Sequence, residues 1–128
     1  MAVRRAERGS AVVDFVLVMG LLVPLVLGIV QVGLVLHVRS TLTAAASDGA
    51  RAGAPLGATH ADAVARTRDM IATSLSARYA RDVTASDSVA DGVPTVVVRV
   101  RAEVPALGLL GPAVALDVQG RAVRQVEP

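Results

Sequence analysis

Few residues in this chain of 128 could do chemistry, and their types and spacing exclude most enzymes. The chain has no cysteine, which excludes a disulfide, a thiolate metal site and a cysteine nucleophile. Its two histidines, His37 and His60, have no ligand-like partners nearby, and neither a glycine-rich phosphate loop nor a Gly-x-Ser-x-Gly motif occurs. We therefore expect no enzyme, no bound metal, no cofactor and no small-molecule substrate.

The acid that stands out is Asp14, which lies between the apolar residues Ala11–Val13 and the single phenylalanine, Phe15. A carboxylate costs about 2.5–3.5 kcal/mol at the centre of a bilayer and less near an interface. Such a group either has a partner or lies at the interface, where it reaches water or favours the start of a helix.

The residues that follow predict a membrane-spanning helix. From Phe15 to Leu36 there are 22 residues without a formal charge, which make about 33 Å of helix and can cross a hydrocarbon core of about 30 Å. A core helix of a small protein seldom has so long an apolar run. A cleaved secretory signal has an apolar region of about 7–15 residues, and the nearest cleavage-like triplet, Ala44–Ala46, lies beyond the end of this run.

The charges predict the orientation of this helix and argue against a nucleic-acid partner. Three arginines, Arg4, Arg5 and Arg8, precede the apolar run, so the positive-inside rule places the N-terminus in the cytoplasm and the C-terminal domain outside. The 13 basic residues are scattered arginines and only 2% of residues are aromatic, so no nucleic acid is expected to bind. We predict a single-pass protein of the cytoplasmic membrane.

The start of the chain has a glycine, Gly9, then four residues, the acid Asp14, Phe15 and an apolar helix. This arrangement resembles the prepilin-peptidase site of type IV pilins and pseudopilins. In that family a basic leader is cut on the cytoplasmic side just after the glycine, and the acid is the fifth residue of the mature chain. The resemblance implies a leader of residues 1–9 and a cut between Gly9 and Ser10. The acid here is Asp, one methylene shorter than the usual Glu.

Such a cut would create a cation at the new N-terminus of each copy of the chain, four residues before the acid Asp14. The new ammonium on Ser10 can be neutralised by Asp14 of a neighbouring copy displaced along a helix bundle. Because the donor and the acceptor lie at different places on each copy, the contact is heterologous and can propagate into a fibre.

A wider resemblance covers residues 7–54, where the chain looks like the TadE-like pseudopilins of the tight-adherence (Flp) pilus system. Its second mark is the triplet Gly49-Ala50-Arg51 after an alanine-rich helix. The resemblance implies a minor subunit or assembly factor of a bacterial pilus or secretion apparatus. Its partners would be the membrane, prepilin peptidase, other pilin or pseudopilin subunits and the assembly platform.

Two alternatives from other classes stay open. One is an uncleaved single-span anchor whose outer domain is a scaffold or binds an envelope partner. The other is a soluble module secreted after cleavage at Ala46.

Residues 10–53 are predicted to form one helix, which spans the membrane and continues as a stalk. Its small residues predict two packing surfaces. In the membrane, Gly20, Pro24 and Gly28 recur every four residues and form a flat stripe suited to helix contacts, and Pro24 interrupts the hydrogen bonding. Beyond the membrane, a helical seam of small and apolar residues follows: Val38, Leu42, Ala45, Gly49 and Ala52.

The rest of the chain predicts a small α+β domain at residues 60–128, after a linker at 54–59. Thr59 is a candidate N-cap for a second, amphipathic helix from about His60 to Arg81, with Val64, Ile71 and Leu75 on its buried side.

Alternating apolar residues predict an antiparallel meander of three strands covered by helix: Val83–Val89, Val96–Val104 and Val114–Ala122. The first two strands are joined at Asp91-Gly92. A leucine-rich loop at 105–112 either tucks under the sheet or presents an apolar patch to a partner or the membrane.

Overall fold

The structure, a computed structural model, describes residues 2–106 and 113–126, with side chains from residue 7 onward. The α+β fold is confirmed: a long helix, a second helix and a three-stranded antiparallel sheet. In chain order the elements are α1 (Ala2–Gly53), α2 (His60–Ser74), a 3-10 turn (Ala77–Ala80), β1 (Asp82–Ala90), β2 (Val93–Val104) and β3 (Val114–Val123). The leucine-rich loop was predicted at 105–112, and its residues 107–112 lie outside the part of the chain that the structure describes.

Helix α1 runs without a break for 52 residues, about 78 Å at 1.5 Å per residue. Pro24 lies inside it, where the missing N–H removes the hydrogen bond to the carbonyl of Gly20. The helix ends at Gly53, and the turn that follows contains Gly57 in the left-handed region at φ 82°.

The sheet is the predicted meander, with strand order β1-β2-β3 and antiparallel pairing throughout. Ala90 pairs with Val93 across a two-residue turn. Asp91 and Gly92 have φ values of 51° and 77°. Positive φ at both central residues is typical of a type I′ turn, whose twist matches that of the two strands in a tight hairpin.

Both helices pack on one face of the sheet, where the core lies. The core side of β2 consists of fully buried valines: Val96, Val98, Val100 and Val104. From α1 the buried apolar side chains are Val38, Leu42, Ala45, Ala46 and Ala50. The part of α1 that we expected as a stalk is therefore part of the folded domain, where it packs against α2 and the sheet. We call α2, the 3-10 turn, the sheet and the part of α1 packed on them the outer domain, after the orientation that the charges predict.

Helix α2 begins as predicted, with Thr59 as its N-cap. The Asp62 N–H donates to Thr59 Oγ1 at 3.2 Å, and the Thr59 N–H donates back to Asp62 Oδ2 at 2.7 Å. This reciprocal capping box satisfies two backbone donors that the first turn leaves without partners.

The predicted end of α2 at Arg81 is wrong, because the helix ends at Ser74. Leu75 leaves the helical conformation, and the Ser76 side chain then accepts the Arg78 N–H at the start of the 3-10 turn. Serine side chains compete for backbone donors in this way. The tighter turn brings the chain from the helical layer into β1.

The buried side of α2 differs in part from the prediction. Ile71 is fully buried, but Val64 and Leu75 are only half-buried. The residues of α2 nearest to α1 are Ala63 and Thr67, both at 0% exposure. Small side chains take these positions because the two helices approach closely there.

Candidate functional site: the uncovered helix and its N-terminal motif

The exposure of α1 divides it into two segments. The lower segment, Gly9–Val30, has no buried residue, and its large side chains are open to the surroundings, with Leu21 at 75% exposure. The upper segment, Gln31–Gly53, packs into the outer domain. The lower segment therefore has an apolar surface on all sides that its own domain leaves uncovered.

Within the part of the chain that the structure describes, one helix is long and apolar enough to cross a membrane, Glu7–Gly53. Its most apolar window of 18 residues has a mean hydropathy of 2.6 and no buried residue. A core helix of a soluble domain would be mostly covered. The exposure of the lower segment thus supports membrane association.

The N-terminal motif lies at the start of this segment, on continuous helix. Ser10 and Asp14 are four residues apart and so lie on the same side of α1. Phe15 is 63% exposed, and a Cβ added at Gly9 would meet no atom within 4 Å. No ion pair to Asp14 occurs within the described residues. The motif is thus accessible to another protein.

The stripe at Gly20, Pro24 and Gly28 is likewise accessible to another protein. A Cβ at Gly20 or Gly28 would meet nothing within 4 Å. Pro24 and Gly28 line a shallow apolar groove together with Leu25, Ile29 and Val32. The described chain does not cover this groove, so the stripe is available to a neighbouring helix.

The triplet Gly49-Ala50-Arg51 has a different environment at each residue. A Cβ at Gly49 would overlap Thr67 Oγ1 of α2 and lie 2.9 Å from the Ala63 carbonyl oxygen. Ala50 is fully buried in the core, and Arg51 is exposed in the last turn of α1, where a cation is favoured by the helix dipole. The triplet therefore supports the crossing of α1 and α2.

Two further close contacts were not predicted from the sequence. A Cβ at Gly120 would overlap the backbone of Ala46 and Ser47, so β3 lies directly against α1. A Cβ at Gly53 would lie 2.8 Å from the Ala63 Cβ. A glycine at an inward position of an alternating strand is a signal of close backbone approach, and Gly120 has that position in β3.

The charged groups of the outer domain form exposed pairs. At the end of the domain far from the lower segment, Asp87 lies 3.2 Å from His60 Nε2 and 2.8 Å from an Arg124 nitrogen. The contact with His60, and next Arg124, lowers the pKa of Asp87. On the outer face of the sheet, Arg99 Nε donates to Asp117 at 2.7 Å and lowers the pKa of that carboxyl. These pairs are structural contacts between strands and helix.

No metal site occurs within the described residues, and the cavity beside the 3-10 turn does not favour either sign of charge. No three His, Asp or Glu side chains converge there. An open cavity of about 560 Å³ lies beside the 3-10 turn. Its charged lining is balanced between three arginines and three carboxylates: Arg78, Arg81, Arg101, Asp82, Glu103 and Asp117.

The comparisons with known proteins bear on α1 alone. A family model described as TadE-like protein matches residues 9–51, so it begins at Gly9 of the motif and ends at Arg51 of the triplet. No curated protein and no solved structure matches the chain. Helix α2 and the sheet lie outside the family match. Over residues 9–51 of its long helix, the chain matches the TadE-like family, as its motifs predicted.

Proposed function

We propose that this protein is a pseudopilin of a bacterial tight-adherence pilus or related secretion apparatus. It would act as a minor subunit or assembly factor, not as an enzyme, and prepilin peptidase would cut it between Gly9 and Ser10. The observation that carries the proposal is the family match, which begins at Gly9 and continues through an apolar helix that the outer domain leaves uncovered.

The uncovered lower segment supports an assembly role because it offers both charge and shape to another subunit. After the cut, the Ser10 ammonium and the Asp14 carboxylate would lie one helical turn apart at the end of each copy. Pairing of Ser10 with Asp14 of a displaced neighbour would neutralise both charges away from water. The Gly20–Gly28 stripe would let the two helices approach closely.

The same features support the orientation. The arginines at positions 4, 5 and 8 would hold the leader in the cytoplasm, where the peptidase cuts. The outer domain would then lie on the opposite side of the membrane until the subunit enters a filament. The expected partners are the membrane, the peptidase, other pilin or pseudopilin subunits and the assembly platform.

Release of a soluble module after Ala46 is disfavoured by a physical argument. Ala46 is fully buried and lies inside α1, about two turns before its end at Gly53. A cut there would separate Val38 and Leu42 from the core that they complete, and a module starting at Ser47 would expose that core.

The test is the N-terminus of the protein isolated from cells that contain the cognate prepilin peptidase. Intact mass and N-terminal sequencing should give a chain that begins at Ser10. Gly9→Leu should stay full length, whereas the matched control Gly20→Ala, also at an open helical glycine, should be cut like the wild type. A full-length wild-type chain, in cells that process a known pilin, would refute the proposal and favour the uncleaved anchor.

A further inference from the structure

The surroundings of α1 change at Gln31, five residues before the apolar run ends at Leu36. From Gly9 to Val30, none of the described residues of the helix is buried. At Gln31 the side-chain amide donates to the Pro105 carbonyl oxygen at 3.2 Å. Leu34 and Val35 are then half-buried against the core, and Val38 is 1% exposed. The outer domain thus reaches down α1 as far as Gln31.

The part of the domain at this height is the end of the sheet where β2 finishes and β3 starts. Val104 pairs with Val114, and Pro105 follows directly. Val104 is fully buried and Pro105 is half-buried, whereas Val114 is 37% exposed. We call Val104–Ala106 together with Val114 the lower edge of the domain.

The position of the lower edge conflicts with a hydrocarbon layer that extends to Leu36. Leu36 lies about 9 Å further along the axis than Val30, so such a layer would enclose the lower edge as well. Irregular backbone exposed to lipid does not occur within the hydrocarbon region, because its polar groups would have no partners there. The hydrocarbon boundary must therefore lie at or below Gln31.

A window that satisfies this limit exists in the sequence. Ala11 to Val30 is 20 residues, about 30 Å of helix, which equals the thickness of a typical hydrocarbon core. If the hydrocarbon span is Ala11–Val30, Asp14 lies about 4.5 Å inside the boundary at the N-terminal end of the span. A carboxylate at that depth costs much less than one at the centre.

We propose that Ala11–Val30 is the segment embedded in lipid, and that the outer domain rests on the bilayer with its lower edge among the phospholipid headgroups. The surface that the lower edge meets is the leaflet on the domain's own side. The argument uses the uncovered helix, the Gln31–Pro105 contact and the length of the window. It does not use cleavage at Gly9 or a place in a pilus.

The chain contains no tryptophan, so single-tryptophan variants of the full chain can report depth directly. We would insert Val30→Trp, Leu36→Trp, Val114→Trp and the control Val89→Trp into vesicles of phosphatidylethanolamine and phosphatidylglycerol. Val89 is 70% exposed beside the distal hairpin turn. Two probes separate the layers: lipids brominated on the acyl chains and lipids spin-labelled on the headgroup.

The proposal predicts a distinct pattern for each variant. Acyl-chain bromines should quench Val30→Trp several-fold more than Leu36→Trp. The headgroup label should quench Leu36→Trp and Val114→Trp strongly, and Val89→Trp should respond to neither probe. Each substitution is at an exposed side chain, and circular dichroism would show that the sheet is retained.

Two results would overturn it. If bromines quench Leu36→Trp as strongly as Val30→Trp, the hydrocarbon layer extends to Leu36 and the window is wrong. If Val114→Trp is as insensitive to the headgroup label as Val89→Trp, the domain is held away from the bilayer. The experiment needs no peptidase, so its outcome is independent of whether the chain is ever cut.

Discussion

The two segments of α1 belong to one helix, yet the lower segment exposes its large apolar side chains, whereas the upper segment buries mostly small ones. The lower segment exposes its large aliphatic side chains, as at Leu17 and Ile29, which are 67% and 65% exposed. The upper segment buries alanines, with Ala46 and Ala50 at 0%. In water the first pattern would be unfavourable by about 25 cal/mol for each Å² of apolar surface.

The difference shows that each segment is matched to a different environment. Exposed leucines are stable in lipid or against another apolar helix, where no water is ordered around them. Buried alanines and glycines are needed in the upper segment because α1 lies within van der Waals contact of both α2 and β3. Small residues there bury less apolar area, but they allow the backbones of α1, α2 and β3 to approach closely.

The glycines make the comparison testable, since an added Cβ has open space at Gly20 and Gly28 of the lower segment but overlaps other atoms at Gly49 and Gly120. The largest effect is expected at Gly120. Gly120→Val would place a side chain on the α1 backbone and should lower the free energy of unfolding by about 3 kcal/mol or more. Denaturant unfolding in detergent micelles, followed by circular dichroism, measures it.

The control for that prediction is Gly20→Val, at an open position of the lower segment. It should leave the unfolding of the outer domain unchanged. Equal stability of Gly120→Val and the wild type would mean that α1 does not rest directly on β3.

The next effect is expected at Gly49, where the obstacle is a side chain. Gly49→Ala would overlap Thr67 Oγ1 and should cost about 1–3 kcal/mol of stability. Thr67→Ala in the same chain should recover part of this loss, because it removes the overlapping hydroxyl. A double-mutant cycle measures that coupling, and additive losses would contradict the direct contact.

The third prediction concerns a substitution in the lower segment that changes association between helices and not the stability of the domain. Gly28→Leu should leave the unfolding of the outer domain unaltered, since a Cβ there meets nothing within 4 Å of it. It should instead weaken self-association of the lower segment several-fold, because it fills the groove beside Pro24. Crosslinking or energy transfer in vesicles measures association, with Leu21→Val on the exposed surface as a conservative control. Unchanged association would leave the stripe without a packing role.

The smallest effect concerns pH and the outer domain alone. The folded pKa of Asp87 is lowered, so this carboxylate contributes stability above its unfolded pKa of about 3.9, and the contribution is lost as pH falls through the folded value. Asp87→Asn should be slightly less stable than the wild type near pH 7, and the difference should shrink below about pH 4.

Urea unfolding over a pH series measures this difference. Asp91→Asn, in the hairpin turn, is the matched control and should not reproduce it. A gap between Asp87→Asn and the wild type that stays constant down to pH 2 would contradict the role of the charge.

Local signals in the sequence were enough to predict most elements. Apolar alternation predicted the strands, Asp91-Gly92 predicted the turn, and Thr59 as a candidate N-cap predicted the start of α2. The end of α2 was missed, because Leu75 and the residues after it continue an apolar pattern while Ser76 begins a tighter turn. Which surfaces of α2 and β3 face α1 depended on Gly49 and Gly120, whose partners are distant in the chain.

The sequence by itself determined the long apolar helix, the motif from Gly9 to Phe15 and the α+β order, because each depends on neighbouring residues or on a simple period. Only the tertiary structure decided that one face of α1 from Val38 to Gly53 is part of the core and that the domain extends along α1 to Gln31. Those facts depend on which distant surfaces meet, and hence on shape. The side-chain amide of Gln31 reaches the Pro105 carbonyl 74 positions later, and no local pattern encodes that contact.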